Sequence, residues 1–248
     1  MKNITRLVYK YRYVLPLLLI IPIIAGVSFK RIMDKTVKKR RFPVEYLVIH
    51  YTANTNPGSD AEANAYYLRN KHRAGTHYCI DDQEIIQCTD EQNVAYAIGD
   101  KTWFGFVPKP WFINPKGGRK VLNNNSLNYE MCLGGDRNDT ITIETTAQQI
   151  GFQIVKYGFY DKNGVPDLGR VVRHHDVTGK YCPKFNYIDP STGKFNENYW
   201  DQQKEDASFW KFKLRVKYWA EFHLARLGKI KTKTDAVPQP TLQKTGTW

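Results

Sequence analysis

The chain has 248 residues, 42% of them hydrophobic and 14% aromatic, which is enough apolar material for one well-buried domain with extensions. Its net charge of +13 would fit a nucleic-acid binder if the charge were spread over the fold, but residues 1–41 hold 11 Lys/Arg against the single acid Asp34. The remainder carries 26 basic and 23 acidic residues, so no basic groove is implied and no nucleic-acid partner is expected.

The basic arm contains an apolar run, Val14–Phe29, with Lys2, Arg6, Lys10 and Arg12 before it and Lys30 and Arg31 after it. It reads as a membrane segment. Its 16 residues fall just short of the roughly 17–25 of a spanning helix, and Pro16 and Pro22 would bend it. An uncleaved anchor and a signal sequence with a small-x-small site at Gly26-Val27-Ser28 both stand as readings. Seven Lys/Arg follow the run by position 41 and four precede it, a count that by itself would keep the rest of the chain in the cytoplasm. Long domains cross despite flanking charge, so chemistry decides the side below.

A folded domain is expected over 42–228. Val44–His50 is β-branched and apolar like a buried strand, placing His50 at its C-terminal edge. Asp60 is the expected N-cap of a helix to about Arg73. His77–Asp81 and Glu84–Cys88 read as a hairpin in whose register Cys79 faces about Ile86, not Cys88, so no disulfide crosses it. Residues 98–125 form a long loop with five large aromatics, Trp103, Phe104, Phe106, Trp111 and Phe112, which either close a local cluster or stack on a ligand. Ser126–Leu133 returns to strand, Thr145 is the expected cap of a helix to about Tyr160, and Gly169–His174 is a further strand. The stretch from about Asp206 to Leu227 is long enough for a helix, and 229–248, with Pro238 and Pro240, reads as a flexible tail. The sum is a single α/β domain with a mixed central sheet flanked by helices.

Cys79, Cys88, Cys132 and Cys182 are too few and scattered for a disulfide scaffold. Cys182 stands eight positions after His174, an imidazole and a thiol around one turn, and both are good zinc ligands. His50, at the end of another strand, supplies a third and leaves the fourth tetrahedral position for water, the open geometry of a hydrolase. Asp176 either orients a ligand imidazole or begins the turn.

Four segments, VIHYTAN at 48–54, HYCID at 77–81, NYEMC at 128–132 and RHHDVTGKYCP at 173–183, resemble in sequence and order the zinc-dependent N-acetylmuramoyl-L-alanine amidases of the phage-lysozyme and peptidoglycan-recognition type, the amidase-2 family. The resemblance covers about residues 44–190. It implies that His50, His174 and Cys182 bind Zn²⁺, that His175 does not, that Glu130 is the general base, and that Lys180 steadies the oxyanion. It also implies peptidoglycan as partner and a catalytic domain facing it, exported or membrane-anchored in the cell envelope or released in phage lysis. A recognition module that binds peptidoglycan without cutting it is the alternative, typical of relatives lacking the metal-binding cysteine, which is present here. Val94-Ala95-Tyr96-Ala97 departs from the family, where many relatives carry a Trp-His pair, and His77 reads as structural or cleft-lining.

Overall fold

A computed structural model of the chain describes residues 26–34, 37–70, 75–99, 120–196 and 199–228. Its centre is a six-stranded sheet made of β1 (Ser28–Arg31), β2 (Tyr46–Tyr51), β3 (Tyr78–Ile80), β4 (Glu84–Gln87), β5 (Ser126–Met131) and β6 (Val171–Arg173), in the order β1-β4-β3-β5-β2-β6. Strands β3, β5, β2 and β6 run parallel, β4 runs antiparallel to β3, and β1 lies parallel to β4, so the sheet is mixed. The helices are α1 (Ala61–Arg69), α2 (Asp139–Tyr157), the short α3 (His174–Thr178) and α4 (Gln202–Arg226). A two-stranded ribbon, β7 (Ile188–Asp189) with β8 (Lys194–Phe195), precedes α4.

Alternation along the strands sorts the two faces. Leu47, Ile49, Leu127, Tyr129 and Met131 point to one side and are buried with Ile150 and Ile154 of α2 and Phe209, Phe212 and Val216 of α4 in the main core. The two helices approach closely at Gly151, where an added Cβ would stand 2.7 Å from Trp219 Cβ and 2.8 Å from the Ala220 nitrogen. On the other side, Ala61 and Ala65 of α1 cover Cys79, Ile86, Cys88 and Cys132. Asp60 caps α1 as expected, its Oδ1 accepting from the Ala63 nitrogen at 2.7 Å. Cys79 pairs with Ile86, and all four cysteines are free thiols.

Several boundaries differ from the sequence reading. The cap of α2 is Asn138, not Thr145, which lies buried inside the helix; the first turns bury Thr142, Glu144, Thr145 and Thr146, polar residues that mask the helical period. His174 opens α3 instead of closing β6. The sheet also reaches back past position 42, because β1 pairs with β4. Ser28 and Phe29, the last residues of the apolar run, belong to that strand, with Val27 buried beside them. The basic cluster is likewise drawn into the fold: Lys30 pairs with Glu62 and Glu84. Arg40 donates to the carbonyls of Glu91, Asn93, Asn124 and Ser126, which cluster where β5 begins. No helix among the described residues is long and apolar enough to cross a membrane. Residues 14–25, the five loop aromatics and the 229–248 tail lie outside the described residues.

Candidate metal centre

The face of the sheet opposite α2 and α4 carries polar residues at the C-terminal ends of its parallel strands, the edge where α/β sheets place their ligands. His50 and Glu130 are register partners on β2 and β5, so alternation aims both side chains at this face. The chain leaving β6 turns directly into α3, which delivers His174, and the turn after Gly179, at φ 81°, returns Cys182 to the same point. The Cys182 carbonyl accepts from the His175 nitrogen at 2.7 Å and closes that turn.

One ligand atom from each of His50, His174 and Cys182 converges so that all lie within 4.8 Å of one another, and all three residues are buried. Nδ1 of His50 is 3.1 Å from Nδ1 of His174 and 4.0 Å from Sγ of Cys182. Ideal tetrahedral zinc would set two imidazole nitrogens about 3.3 Å apart and a nitrogen and a thiolate about 3.6 Å apart. The donor set therefore fits a zinc ion. The tautomers agree: His50 Nε2 lies 3.1 Å from Asn128 Oδ1 and His174 Nε2 lies 3.1 Å from the Ile98 carbonyl, acceptors that place the protons on Nε2 and free both Nδ1 lone pairs. Burial pushes the His50 pKa down to about 3, keeping a neutral, ligating ring. It pushes the Cys182 thiol up to about 12 in the metal-free site, so thiolate formation there is coupled to metal binding.

Glu130 Oε1 is 4.0 Å from His50 Nδ1, and its buried Oε2 has no hydrogen-bond partner among the described residues. Burial raises its pKa to about 7, against the pull of the Lys180 charge. Lys180 is exposed, and its charge also acts on His50 and Cys182. His50, Glu130, His174 and Cys182 thus gather at one place, with the Lys180 charge acting on three of them. His175 faces elsewhere, its Nδ1 3.2 Å from the carbonyls of Gly179 and Lys180 and its ring 4.6 Å from that of Trp200. Asp176 is bound by Arg173 at 2.8 Å, while the acceptor that orients His174 is the Ile98 carbonyl. His77 is fully buried, a structural residue whose Nδ1 accepts from the Asn128 nitrogen at 3.0 Å.

Residues 40–185 match the N-acetylmuramoyl-L-alanine amidase family, amidase-2, over more than half of the chain. The chain belongs to that family. Similar relatives include the N-acetylmuramoyl-L-alanine amidases CwlH and XlyB of Bacillus subtilis (strain 168), 29% identical over 162 residues and 30% over 163. The matches take in 60% and 64% of this chain but 56% and 41% of those proteins, so the chain spans about half the length of these curated relatives. In fold, this amidase-2 member resembles a mutant endolysin from Bacillus subtilis (TM-score 0.51, 21% identity, 76% of this chain and 97% of that one). It likewise resembles the Staphylococcus aureus hydrolase AmiA in complex with its ligand (TM-score 0.51, 15% identity, 82% and 86%).

Two contributors to the site escaped the sequence reading. The Ile98 carbonyl leaves no signature in a side chain. Asn128 does: in Ser126–Met131 it and Glu130 are polar at a spacing of two within a buried strand, which marks both for the same face.

Proposed function

We propose that this chain is a zinc-dependent N-acetylmuramoyl-L-alanine amidase that hydrolyses the amide joining the lactyl group of peptidoglycan to the first alanine of the stem peptide. The observation that carries this reading is the convergence of two Nδ1 lone pairs and one thiol beside a half-buried carboxylate. His50, His174 and Cys182 would hold the ion. Zinc at such a site supplies Lewis acidity to the scissile carbonyl and lowers the pKa of water. Glu130 takes the proton from the attacking water and passes it to the alanine nitrogen as the carbon–nitrogen bond breaks. The Lys180 ammonium steadies the negative charge that develops on the carbonyl oxygen.

A cleft of about 520 Å³ runs from the end of β2 to the start of α1, lined by Thr52, Asn54, Ser59, Asn64 and Tyr67 among others. Its uncharged amide and hydroxyl groups match the backbone of a stem peptide. Because peptidoglycan lies outside the cytoplasmic membrane, the part of the apolar run that precedes the folded residues, 14–25, is assigned to export or anchoring, with release in phage lysis as the other route to the wall.

The test is product analysis after incubating the full chain with purified peptidoglycan, with and without a chelator. The amidase reading expects new alanine amino termini without new reducing sugar ends, abolished by chelation and restored by zinc. Binding to peptidoglycan with no new termini at any pH would replace it with the recognition-module reading.

A further inference from the structure

We propose that Asn128 is a positioning residue for the metal, fixing His50 in the tautomer that ligates through Nδ1; the inference rests on the amidase reading for the identity of the ion. A set of hydrogen bonds with one direction carries it. Ser126 Oγ–H donates to the Leu122 carbonyl at 2.7 Å, which leaves the Ser126 lone pair to accept from Asn128 Nδ2 at 3.5 Å. That contact turns Asn128 Oδ1 toward His50 Nε2, 3.1 Å away. An amide oxygen only accepts, so the imidazole proton resides on Nε2 and the Nδ1 lone pair faces His174 and Cys182.

A reversed amide would present Nδ2 to His50, demand a lone pair on Nε2, and move the proton to Nδ1, where it would block coordination. The backbone of Asn128 is held as firmly as its side chain. Its nitrogen donates to His77 Nδ1 at 3.0 Å, and its carbonyl accepts from Thr76 Oγ1 at 2.8 Å and from the His77 nitrogen at 3.0 Å. Asn128, Ser126 and His77 are all fully buried, so water does not compete for these bonds. A merely structural asparagine would satisfy its amide on backbone groups; here the side-chain oxygen is spent on a ligand imidazole.

The experiment is zinc affinity of the full chain by chelator competition, together with the visible spectrum of the cobalt-substituted protein, for wild type, Asn128→Leu, Asn128→Asp and Ser126→Ala. Circular dichroism of the metal-free forms checks folding. Asn128→Leu, close in shape but without an acceptor, is expected to weaken zinc binding by about 10–100-fold and to shift the cobalt bands. Asn128→Asp keeps the acceptor and should retain near-wild-type affinity, and Ser126→Ala, which frees the amide to turn, should lose about fivefold. A folded Asn128→Leu protein with wild-type zinc affinity and cobalt spectrum overturns the positioning role and leaves the amidase reading intact. Should Asn128→Leu not fold, wild-type affinity in Ser126→Ala overturns it instead. A wild-type protein that binds no zinc removes the amidase reading and this inference together.

Discussion

The two faces of the central sheet are made by the same strands and obey opposite rules. Leu127, Tyr129 and Met131 of β5 face α2 and α4 in an apolar core, while the intervening Asn128 and Glu130 face the candidate metal centre. Both faces are buried. The difference is that the core face gains from removal of water, whereas each polar group on the site face must find a partner or stay poised for one. Glu130 Oε2, buried without a partner among the described residues, is the mark of the second kind. The main core lies on one face, while the other combines smaller apolar clusters with the candidate site at the strand ends, so substitutions in the main core and at the site should separate.

The largest separation is expected from Cys182→Ala. Loss of a metal ligand should remove zinc and reduce turnover by at least about 10³-fold, while the metal-free protein loses only one small side chain at the edge of the core, so its urea midpoint shifts much less than for loss of a large core ring. Equal loss of stability and activity would break the contrast. The converse is Phe212→Ala on the core face, where a fully buried ring is lost. A cost of about 3–5 kcal/mol in urea unfolding is expected, with zinc stoichiometry unchanged in the fraction that stays folded.

A pH series sharpens the comparison on the site face alone. Glu130 is pushed up to about 7 by burial, above its unfolded value near 4.3, so its carboxyl favours folding most below about pH 4.3 and loses that contribution as pH rises through about 7. Glu130→Gln does not ionise. In chelator-treated protein its stability relative to wild type should therefore increase between pH 4 and pH 8, by on the order of 2–4 kcal/mol. A difference independent of pH would show that Glu130 is not held in a desolvated site. The smallest effect is expected at the helix crossing, where Gly151→Ala places a methyl against Trp219 and the backbone of Ala220. Exposed helical glycines usually gain from alanine; here a loss of about 1–3 kcal/mol is expected by urea unfolding.

Legibility in the sequence follows the same division. The mixed sheet, the Asp60 cap, the Cys79–Ile86 register and α4 were readable because they depend on local period and turn chemistry. The gathering of His50, Glu130, His174 and Cys182 was readable because each stands in a motif at a strand or turn end. Hidden were the features set by tertiary context. Asn138 took the cap of α2 because the helix begins with buried polar residues that only its packing partners explain, such as Glu144, bound by Arg215 and by Trp219 Nε1 at 2.7 Å. Ser28–Arg31 looked like the end of an apolar arm because an edge strand of four residues carries no period of its own. Arg40 looked like a charged flank, although its guanidinium ties together carbonyls from two distant segments, 91–93 and 124–126.

The central claim is that one buried face holds a metal through three residues and uses a fourth for proton transfer. Zinc content and turnover measured together on Glu130→Gln test it most directly, since this change spares every ligand and removes only the base. The account predicts about one zinc per chain, as in wild type, with turnover on peptidoglycan reduced by about 10²–10⁴-fold. Full turnover in the zinc-loaded Glu130→Gln protein would contradict it.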